Sequence, residues 1–223
     1  VYGTGAEVHS NFPVLIDITN DDLRSYANGG MVVNPLGYDI VFSQDHLSRL
    51  NHEVESYDPN TGHIVAWVQV PSLDANADNT LYLYFGNPID YSTDYSTVNT
   101  WDANYVAVYH LEESGPFVDA SNNQIDGVNN GSADAGAIIE DGQDFEYDDS
   151  QTDRISLGSY DVTGNEITIS AWINLESFDQ RDARIVSKAT SGSDEEHWWM
   201  LSTIDAGANY RLRYRQKAGA SQT

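Results

Sequence analysis

Short runs of β-branched and aromatic residues recur along the chain, and polar, turn-rich segments such as 58–62 and 74–79 separate them. Runs of this length and composition are typical of strands, and such separators are typical of turns between antiparallel strands. The pattern therefore predicts an all-β protein. The predicted strands are residues 12–19, 38–43, 63–70, 80–86, 105–111, 166–175 and 210–216.

Residues 20–30 are the one segment whose pattern predicts a short helix. Asn20 is a suitable N-cap, two aspartates follow it in the first turn, and Gly29 is a suitable stop. We therefore expect one short helix after the first predicted strand.

The hydrophobic pattern lapses after residue 88, in a polar stretch (89–104) that contains the tetrapeptide DYST twice. This doubling is too short for a repeat architecture, whose periods are roughly 20–50 residues. The lapse predicts a module at residues 1–90, a linker at 91–104 and a second module at 105–223.

Acidic residues outnumber basic ones by 35 to 10, which gives a formal net charge of −25 at pH 7. This charge repels phosphate backbones and anionic lipids, so neither nucleic acid nor a membrane surface is an expected partner. It also destabilises the compact state unless salt screens it or bound cations neutralise it. We therefore expect a setting with divalent metal ions, high salt or both.

The chain has no cysteine, and therefore neither a disulfide nor a thiolate metal site. No apolar run approaches the roughly 20 residues that span a bilayer, so no membrane insertion is expected. Val1 is followed directly by polar sequence without a signal peptide, so we expect a mature or excised segment.

Two stretches of the chain resemble known modules. The span from "NFPVLIDITNDDL" through "YDIVFSQ" to "TLYLYFGNP" is similar, over residues 1–90, to a β-sandwich module of secreted prokaryotic proteins whose function is unknown. The motifs "WDANYVAVYHLEES", "VDASNNQIDGVNNG" and "ITISAWINL" resemble the start of a laminin G-like, concanavalin A-type jelly roll. Such modules commonly occur in this order. The resemblance implies two β-sandwich modules and a secreted or cell-surface location.

The same resemblance implies that both modules are incomplete. The first family usually has a strand before the position of Val1, and the second family continues beyond residue 223. Residues 105–223 are fewer than the roughly 200 that jelly rolls of this type often need. Unpaired strand edges invite pairing with a neighbouring segment or subunit, so self-assembly through incomplete sheet edges is one expected outcome.

The stretch "FVDASNNQIDGVNNG" (117–131) contains the first turn of the predicted jelly roll. Its side-chain oxygens are hard ligands of the kind that calcium takes, about six to eight at a time. The pattern D-x-S-x-N-x-x-D-G resembles the first turn of laminin G-like and concanavalin A-like domains, many of which bind calcium. The alternative is a polar turn whose side chains bond their own backbone. The predicted calcium ligands are Asp119, Asn122, Asn123 and Asp126, with Asp119 foremost.

Asp144 and Glu146 alternate along a predicted strand, much as paired carboxylates do in glucanases of the same fold. Retaining hydrolysis needs two carboxylates roughly 5 Å apart in a substrate cleft. The pattern of those enzymes, E-x-D-x-x-E, is broken here because Gly142 stands at the first glutamate. The resemblance therefore implies a plain strand, with Phe145 in the core and both carboxylates pointing outward.

The segment "EEHWWML" (195–201) predicts a strand that carries Trp198 and Trp199 on opposite faces. Either both indoles are structural, one in each packed layer, or one of them is a flat platform for a sugar ring. Both tryptophans are therefore predicted ligand-binding residues.

The segment "NYRLRYRQK" places Arg211, Arg213 and Arg215 on one face of a strand and its apolar side chains on the other. The arginines either bind an acidic polysaccharide through charge-assisted hydrogen bonds or offset neighbouring carboxylates. They complete the predicted set of ligand-binding residues.

The six histidines lack the spacing of a zinc site, and the chain has neither a G-x-S-x-G elbow nor a phosphate-binding loop. No catalytic activity is therefore expected. We expect non-catalytic extracellular modules that bind carbohydrate or a surface protein, with calcium stabilising the second module. The alternatives are a structural subunit of an extracellular fibre or surface layer, and an accessory domain of a polysaccharide-degrading enzyme.

Overall fold

The computed structural model is all-β, with several small antiparallel sheets, which confirms the predicted fold class. The structure describes residues 8–88, 97–112, 114–147, 153–160, 162, 164, 166–176, 183–189, 197–205 and 210–216. Its strands are β1 (His9–Thr19), β2 (Val41–Ser43), β3 (His52–Asp58), β4 (His63–Leu73), β5 (Tyr82–Tyr84), β6 (Val128–Asn130), β7 (Ala133–Gly136), β8 (Asp141–Asp144), β9 (Arg154–Ser156), β10 (Arg184–Ala189), β11 (His197–Asp205) and β12 (Tyr210–Gln216). A single helical turn, α1, spans Thr97–Thr100.

Strand pairing among the described residues forms two three-stranded sheets, ordered β1-β4-β3 and β10-β11-β12. Three further pairs, β2-β5, β6-β9 and β7-β8, form two-stranded sheets. Every pair is antiparallel, as the turn-rich separators predict.

The β1-β4-β3 sheet buries one face in the main apolar core. Ile64, Ala66, Val68 and Val70 alternate along β4 and are fully buried on this face. Alternation turns the residues between them, including Trp67, to the opposite face. The other buried members of the core are Val14, Leu23, Val32, Ile40, Phe42, Leu50 and Leu73.

Residues 97–112 lie against the opposite face of this sheet. The Gln69 side chain on β4 donates to the Thr100 carbonyl at 3.2 Å, and the rings of Trp67 and Trp101 are 5.2 Å apart. Both faces of the sheet are therefore covered around the middle of β4.

Several of the strands predicted from alternating apolar and polar residues are confirmed, and each of these pairs with a neighbouring strand. Residues 210–216 form β12 with the predicted bounds, and residues 12–19 and 63–70 lie within β1 and β4. Alternation predicts these strands correctly because each strand has one face that is more buried than the other.

The strand predicted at residues 105–111 is wrong. The Val108 amide donates to the Asp119 carboxylate, and the Val108 carbonyl accepts from the Ala120 amide, so this backbone bonds a turn instead of a ladder. The strand predicted at 166–175 is also wrong, because these residues have no ladder partner in the described part of the chain.

Residues 20–30 form two 3-10 turns, Asp21–Leu23 and Tyr26–Asn28, instead of one helix. The predicted caps are nevertheless present: the Asn20 side chain accepts from the Asp22 amide at 2.9 Å, and Gly29 adopts a left-handed conformation with φ 87°. The helical conformation is interrupted between the two turns because Ser25, the residue before the second turn, has an extended backbone.

Contacts divide the chain into two compact units, residues 1–160 and 161–223. The limits predicted from the sequence, with modules at 1–90 and 105–223, stay a prediction that separate expression of each segment would test. No helix among the described residues is long and apolar enough to cross a membrane.

Candidate functional site

The predicted calcium loop lies in the first unit and centres on Asp119, which is only 2% exposed. One carboxylate oxygen accepts from the amides of Val108 and Ser121, each at 2.9 Å. The other accepts from the Ser121 hydroxyl and the Ile125 amide, also at 2.9 Å. These four donors occupy the lone-pair sites of the Asp119 carboxylate, which therefore links separate backbone segments through hydrogen bonds.

The other predicted calcium ligands also make hydrogen bonds within the protein. Asp126 accepts from the Asp119 amide at 3.1 Å. Asn122 and Asn123 donate to backbone carbonyls within residues 101–106, at 3.2 and 2.9 Å. Calcium binding stays a prediction. In the structure Asp119, Asn122 and Asn123 bond the segment before the loop, whereas Asp126 bonds within the loop.

The predicted ligand-binding arginines lie on β12 in the second unit. Arg211, Arg213 and Arg215 share a face with Ile204, Ser202 and Met200 of β11, to which they are opposite in register. Met200 and Ser202 are buried, and Arg213 and Arg215 are half-buried. The arginine face is thus the more covered face of this sheet.

The opposite face of β12 is the more open one. Leu212 is 66% exposed and Tyr214 is 46% exposed, although both are apolar. Trp198 and Trp199 occupy successive positions of β11 and are both half-buried. Ligand binding by these tryptophans and by the arginines stays a prediction.

A cluster of charged and aromatic side chains, here called the His110 cluster, lies on the sheet face opposite the main core. It contains Glu53 and Glu55 of β3, Trp67 of β4, and Trp101 and His110. The His110 ring lies between the glutamates, with Nε2 3.3 Å from Glu53 Oε2 and Nδ1 3.3 Å from Glu55 Oε2. The Trp101 indole donates to Glu53 at 2.8 Å, and the Trp67 indole donates to Glu55 at 2.6 Å.

The cluster is shielded from water. The side chains of Glu53, Glu55 and His110 are 9%, 3% and 17% exposed. Burial lowers the pKa of His110, but hydrogen bonds and charge from both glutamates outweigh it and raise the pKa to about 10. Burial raises the pKa of Glu55, but the hydrogen bond and charge of His110, with hydrogen bonds to Trp67 and Glu112, outweigh burial and lower this pKa.

These shifts make His110 an imidazolium near neutral pH. An imidazolium has no free lone pair, so it neither ligates a metal nor accepts a proton as a general base. The buried ion pairs and hydrogen bonds of the cluster attach residues 101–110 to β3 and β4. Its role is therefore structural.

An open cleft, here called the Asp45 cleft, lies between residues 44–48 and 74–79 in the first unit. Its volume is about 580 Å³. Buried Leu50 and exposed Pro71 give it an apolar part, and polar side chains supply the rest. Its lining residues are Gln44, Asp45, Ser48, Leu50, Pro71, Ser72, Asp74, Ala77, Asp78 and Asn79.

Side-chain hydrogen bonds hold both walls of the cleft. Asp45 accepts from the amides of Ser48 at 2.8 Å and Leu47 at 2.9 Å, and these bonds lower its pKa to about 2. The Asn79 side chain accepts from the Asp74 amide at 2.8 Å and donates to the Asp74 carbonyl at 2.9 Å. The walls are therefore preorganised, and Asp45 is ionised at every physiological pH.

An aromatic group is on the same loop as Asp45. His46 has a positive φ of 68°, and its ring centroid is 3.6 Å from that of Tyr82. The His46 ring also shares a hydrogen bond with the Tyr84 hydroxyl, and Tyr84 is 42% exposed. A non-glycine residue in this conformation costs about 1–3 kcal/mol, which the surrounding contacts must offset.

Sequence reasoning missed both the His110 cluster and the Asp45 cleft. The signal for the cluster is the E-x-E spacing of Glu53 and Glu55 within a strand whose neighbour carries a tryptophan. The signal for the cleft is weaker, because its two walls are separate turn-rich segments. Buried Asp39 was missed as well; its carboxylate accepts from the amides of Val33 (2.9 Å) and Gly86 (2.9 Å).

Comparison with known families finds one match. Residues 37–129 match the model of a domain of unknown function, DUF2341. No curated protein and no solved structure matches the chain. The predicted likeness to a domain of unknown function is therefore confirmed over part of its range, and the laminin G-like resemblance of residues 105–223 stays a prediction. The matched range includes the Asp45 cleft, the His110 cluster and residues 119–126, which carry the four predicted calcium ligands and are here called the Asp119 loop.

Proposed function

We propose that this chain is a non-catalytic binding segment of a secreted or cell-surface protein, and that the Asp45 cleft binds carbohydrate. The observation that carries the proposal is the cleft itself: a concave site with preorganised polar walls and an apolar part. Small-molecule sites typically combine these features and have volumes of about 300–1,000 Å³.

The side chains of the cleft suit a polyhydroxylated ligand. The carboxylates of Asp45, Asp74 and Asp78 accept hydrogen bonds from hydroxyl groups, and Gln44 and Asn79 both donate and accept. Tyr84, which is 42% exposed and hydrogen-bonded to His46 next to Asp45, offers an aromatic surface for a sugar ring.

The charge of the cleft favours neutral sugars over acidic ones. Its lining contains three aspartates and no lysine or arginine. A carboxylate-bearing sugar placed among these side chains meets repulsion from each of them. Uronic-acid polymers are therefore the wrong class of ligand for this site, and neutral oligosaccharides are the right one.

The proposal retains the two modules implied by the sequence resemblance. The first is a β-sandwich that carries the cleft, and the second is a laminin G-like jelly roll with calcium bound at the Asp119 loop. A non-catalytic role agrees with the His110 cluster, in which both glutamates are shielded from water and each accepts from a tryptophan indole.

The test is binding of immobilised hexaoses of β-linked glucose, β-linked N-acetylglucosamine and galacturonic acid. We expect saturable binding to a neutral hexaose and none to the acidic one. Asp78→Asn removes an exposed carboxylate from the cleft lining, and it should weaken binding about tenfold.

The matched control is Asp22→Asn, which makes the same charge change at an exposed turn outside the cleft. It should leave affinity unchanged, and circular dichroism should show both variants to be folded. Absence of binding to every hexaose, or equal effects of the two substitutions, would reject the cleft as the binding site.

A further inference from the structure

Strand β12 is an edge of the β10-β11-β12 sheet. Among the described strands it pairs with β11 alone, so one side of its backbone has no ladder partner there. It is seven residues long and contains no proline, the residue that commonly blunts such edges. An edge of this kind is a template for another strand.

The side chains of β12 specify what kind of strand would fit. Three of the eight arginines in the chain alternate along it, in a protein whose net charge is −25. The face between them carries Leu212 and Tyr214, which are 66% and 46% exposed. A complementary strand would therefore alternate carboxylates with apolar side chains.

Residues 144–147 of the first unit have this complementary pattern. Asp144 and Glu146 alternate with Phe145 and Tyr147, and the two aromatic side chains are 47% and 55% exposed. Phe145 was expected in the core, and that expectation is wrong.

The backbone of this segment also has an edge. The Glu146 amide donates to the Asp153 carboxylate at 3.0 Å, and the Glu146 carbonyl accepts from the Asp153 amide at 3.2 Å. In an extended chain, successive residues direct these groups to opposite sides, so those of Phe145 point away from Asp153, toward a side on which no described strand pairs with this segment.

We propose that β12 of one copy of the chain pairs with residues 144–147 of a second copy. Asp144 and Glu146 then share a face with the arginines, and Phe145 and Tyr147 share a face with Leu212 and Tyr214. The two pairing surfaces of a copy differ, so its β12 binds one neighbour and its residues 144–147 bind another. Assembly therefore proceeds head to tail.

The large net charge does not prevent this pairing in salt. At about 0.15 M ionic strength the Debye length is about 8 Å, so repulsion between distant carboxylates is screened. Direct contacts between opposite charges at the strand edge are shorter than this length and persist. Assembly should therefore strengthen from very low salt to about 0.15 M.

The test is sedimentation velocity of the full chain at rising protein concentration in about 0.15 M salt, with circular dichroism to show that each variant is folded. We expect concentration-dependent growth of the sedimentation coefficient. The double variant Arg211→Glu with Arg215→Glu should remain monomeric. The control, Arg24→Glu with Arg49→Glu, makes the same charge change in the first unit and should still associate.

A charge-swap experiment makes the test specific. The variant Asp144→Arg with Glu146→Arg should be monomeric alone and should form alternating head-to-tail chains, in equal proportions, when mixed with the Arg211→Glu, Arg215→Glu variant. Monomeric wild-type protein at every concentration would overturn the proposal, and so would association that neither double substitution changes. Failure of the mixed variants to associate would equally reject this pairing of strands.

Discussion

Replacement of His110 by glutamine should destabilise the first unit more than any other single histidine replacement. The substitution removes the positive charge from between Glu53 and Glu55 while leaving both carboxylates shielded from water. The indoles of Trp101 and Trp67 still donate to them, but no charge compensates the pair.

Two estimates of the loss agree in size. Removing one partner of a buried ion pair costs about 3–5 kcal/mol. The rise of the His110 pKa from 6.5 to about 10 corresponds to about 5 kcal/mol, at about 1.4 kcal/mol for each pH unit. We therefore expect the free energy of unfolding to fall by about 3–5 kcal/mol at pH 6.

The loss should depend on pH in a defined direction. The folded-state pKa of His110 is raised, so its stabilisation is complete below the unfolded value of 6.5 and disappears as pH rises through about 10. Wild type and variant should therefore differ most at pH 6 and converge toward pH 10. The wild type loses the stabilisation from the His110 charge as pH rises, whereas the variant lacks this charge at every pH.

The assay is urea unfolding followed by tryptophan fluorescence and circular dichroism at pH 6, 8 and 9.5. His9→Gln is the control, because His9 is an exposed residue at the start of β1. A variant that also carries Glu53→Gln and Glu55→Gln should regain part of the loss, because these two positions then carry no charge that His110 must compensate. A loss below about 1 kcal/mol at pH 6, or one that does not change with pH, would refute the ion-pair account.

Three further substitutions test other parts of the fold. Asp119→Asn should lower the free energy of unfolding by about 2 kcal/mol in the presence of chelator, because buried amide donors lose a charged acceptor; a loss seen only with calcium would instead show metal binding. Gly62→Ala should cost more than about 1 kcal/mol by thermal unfolding, since φ is +71° and the new Cβ would lie 2.1 Å from the Asn20 carbonyl oxygen. Tyr57→Phe should cost about 1 kcal/mol by the same assay, because it removes the 2.6 Å bond to the Leu23 carbonyl.

Local patterns were sufficient to predict the elements that pair with a neighbour in an ordinary ladder. Alternation located β1, β4 and β12, and capping chemistry located both ends of residues 20–30. These features are encoded within a few residues of each other. Residues 105–111 have the same alternation but do not form a strand, because the Val108 amide donates to the Asp119 carboxylate and not to a neighbouring strand.

Longer-range features were not predictable from a single sequence. His110 is remote in sequence from Glu53 and Glu55, and only the packing of residues 97–112 on the sheet brings them together. The Asp45 cleft likewise joins two turns that each read as ordinary polar loops. In both cases the chemistry arises from tertiary contacts, to which hydrophobic periodicity is insensitive.

The central claim is that the Asp45 cleft binds a neutral oligosaccharide. Its most direct test is titration of isotopically labelled protein with β-linked hexaoses of glucose and N-acetylglucosamine, monitored by amide chemical shifts in nuclear magnetic resonance. We expect saturable shifts that are largest in residues 44–48 and 74–79 and that need about tenfold more ligand in Asp78→Asn. Shifts confined to β11 and β12, or no shift with either hexaose, would contradict it.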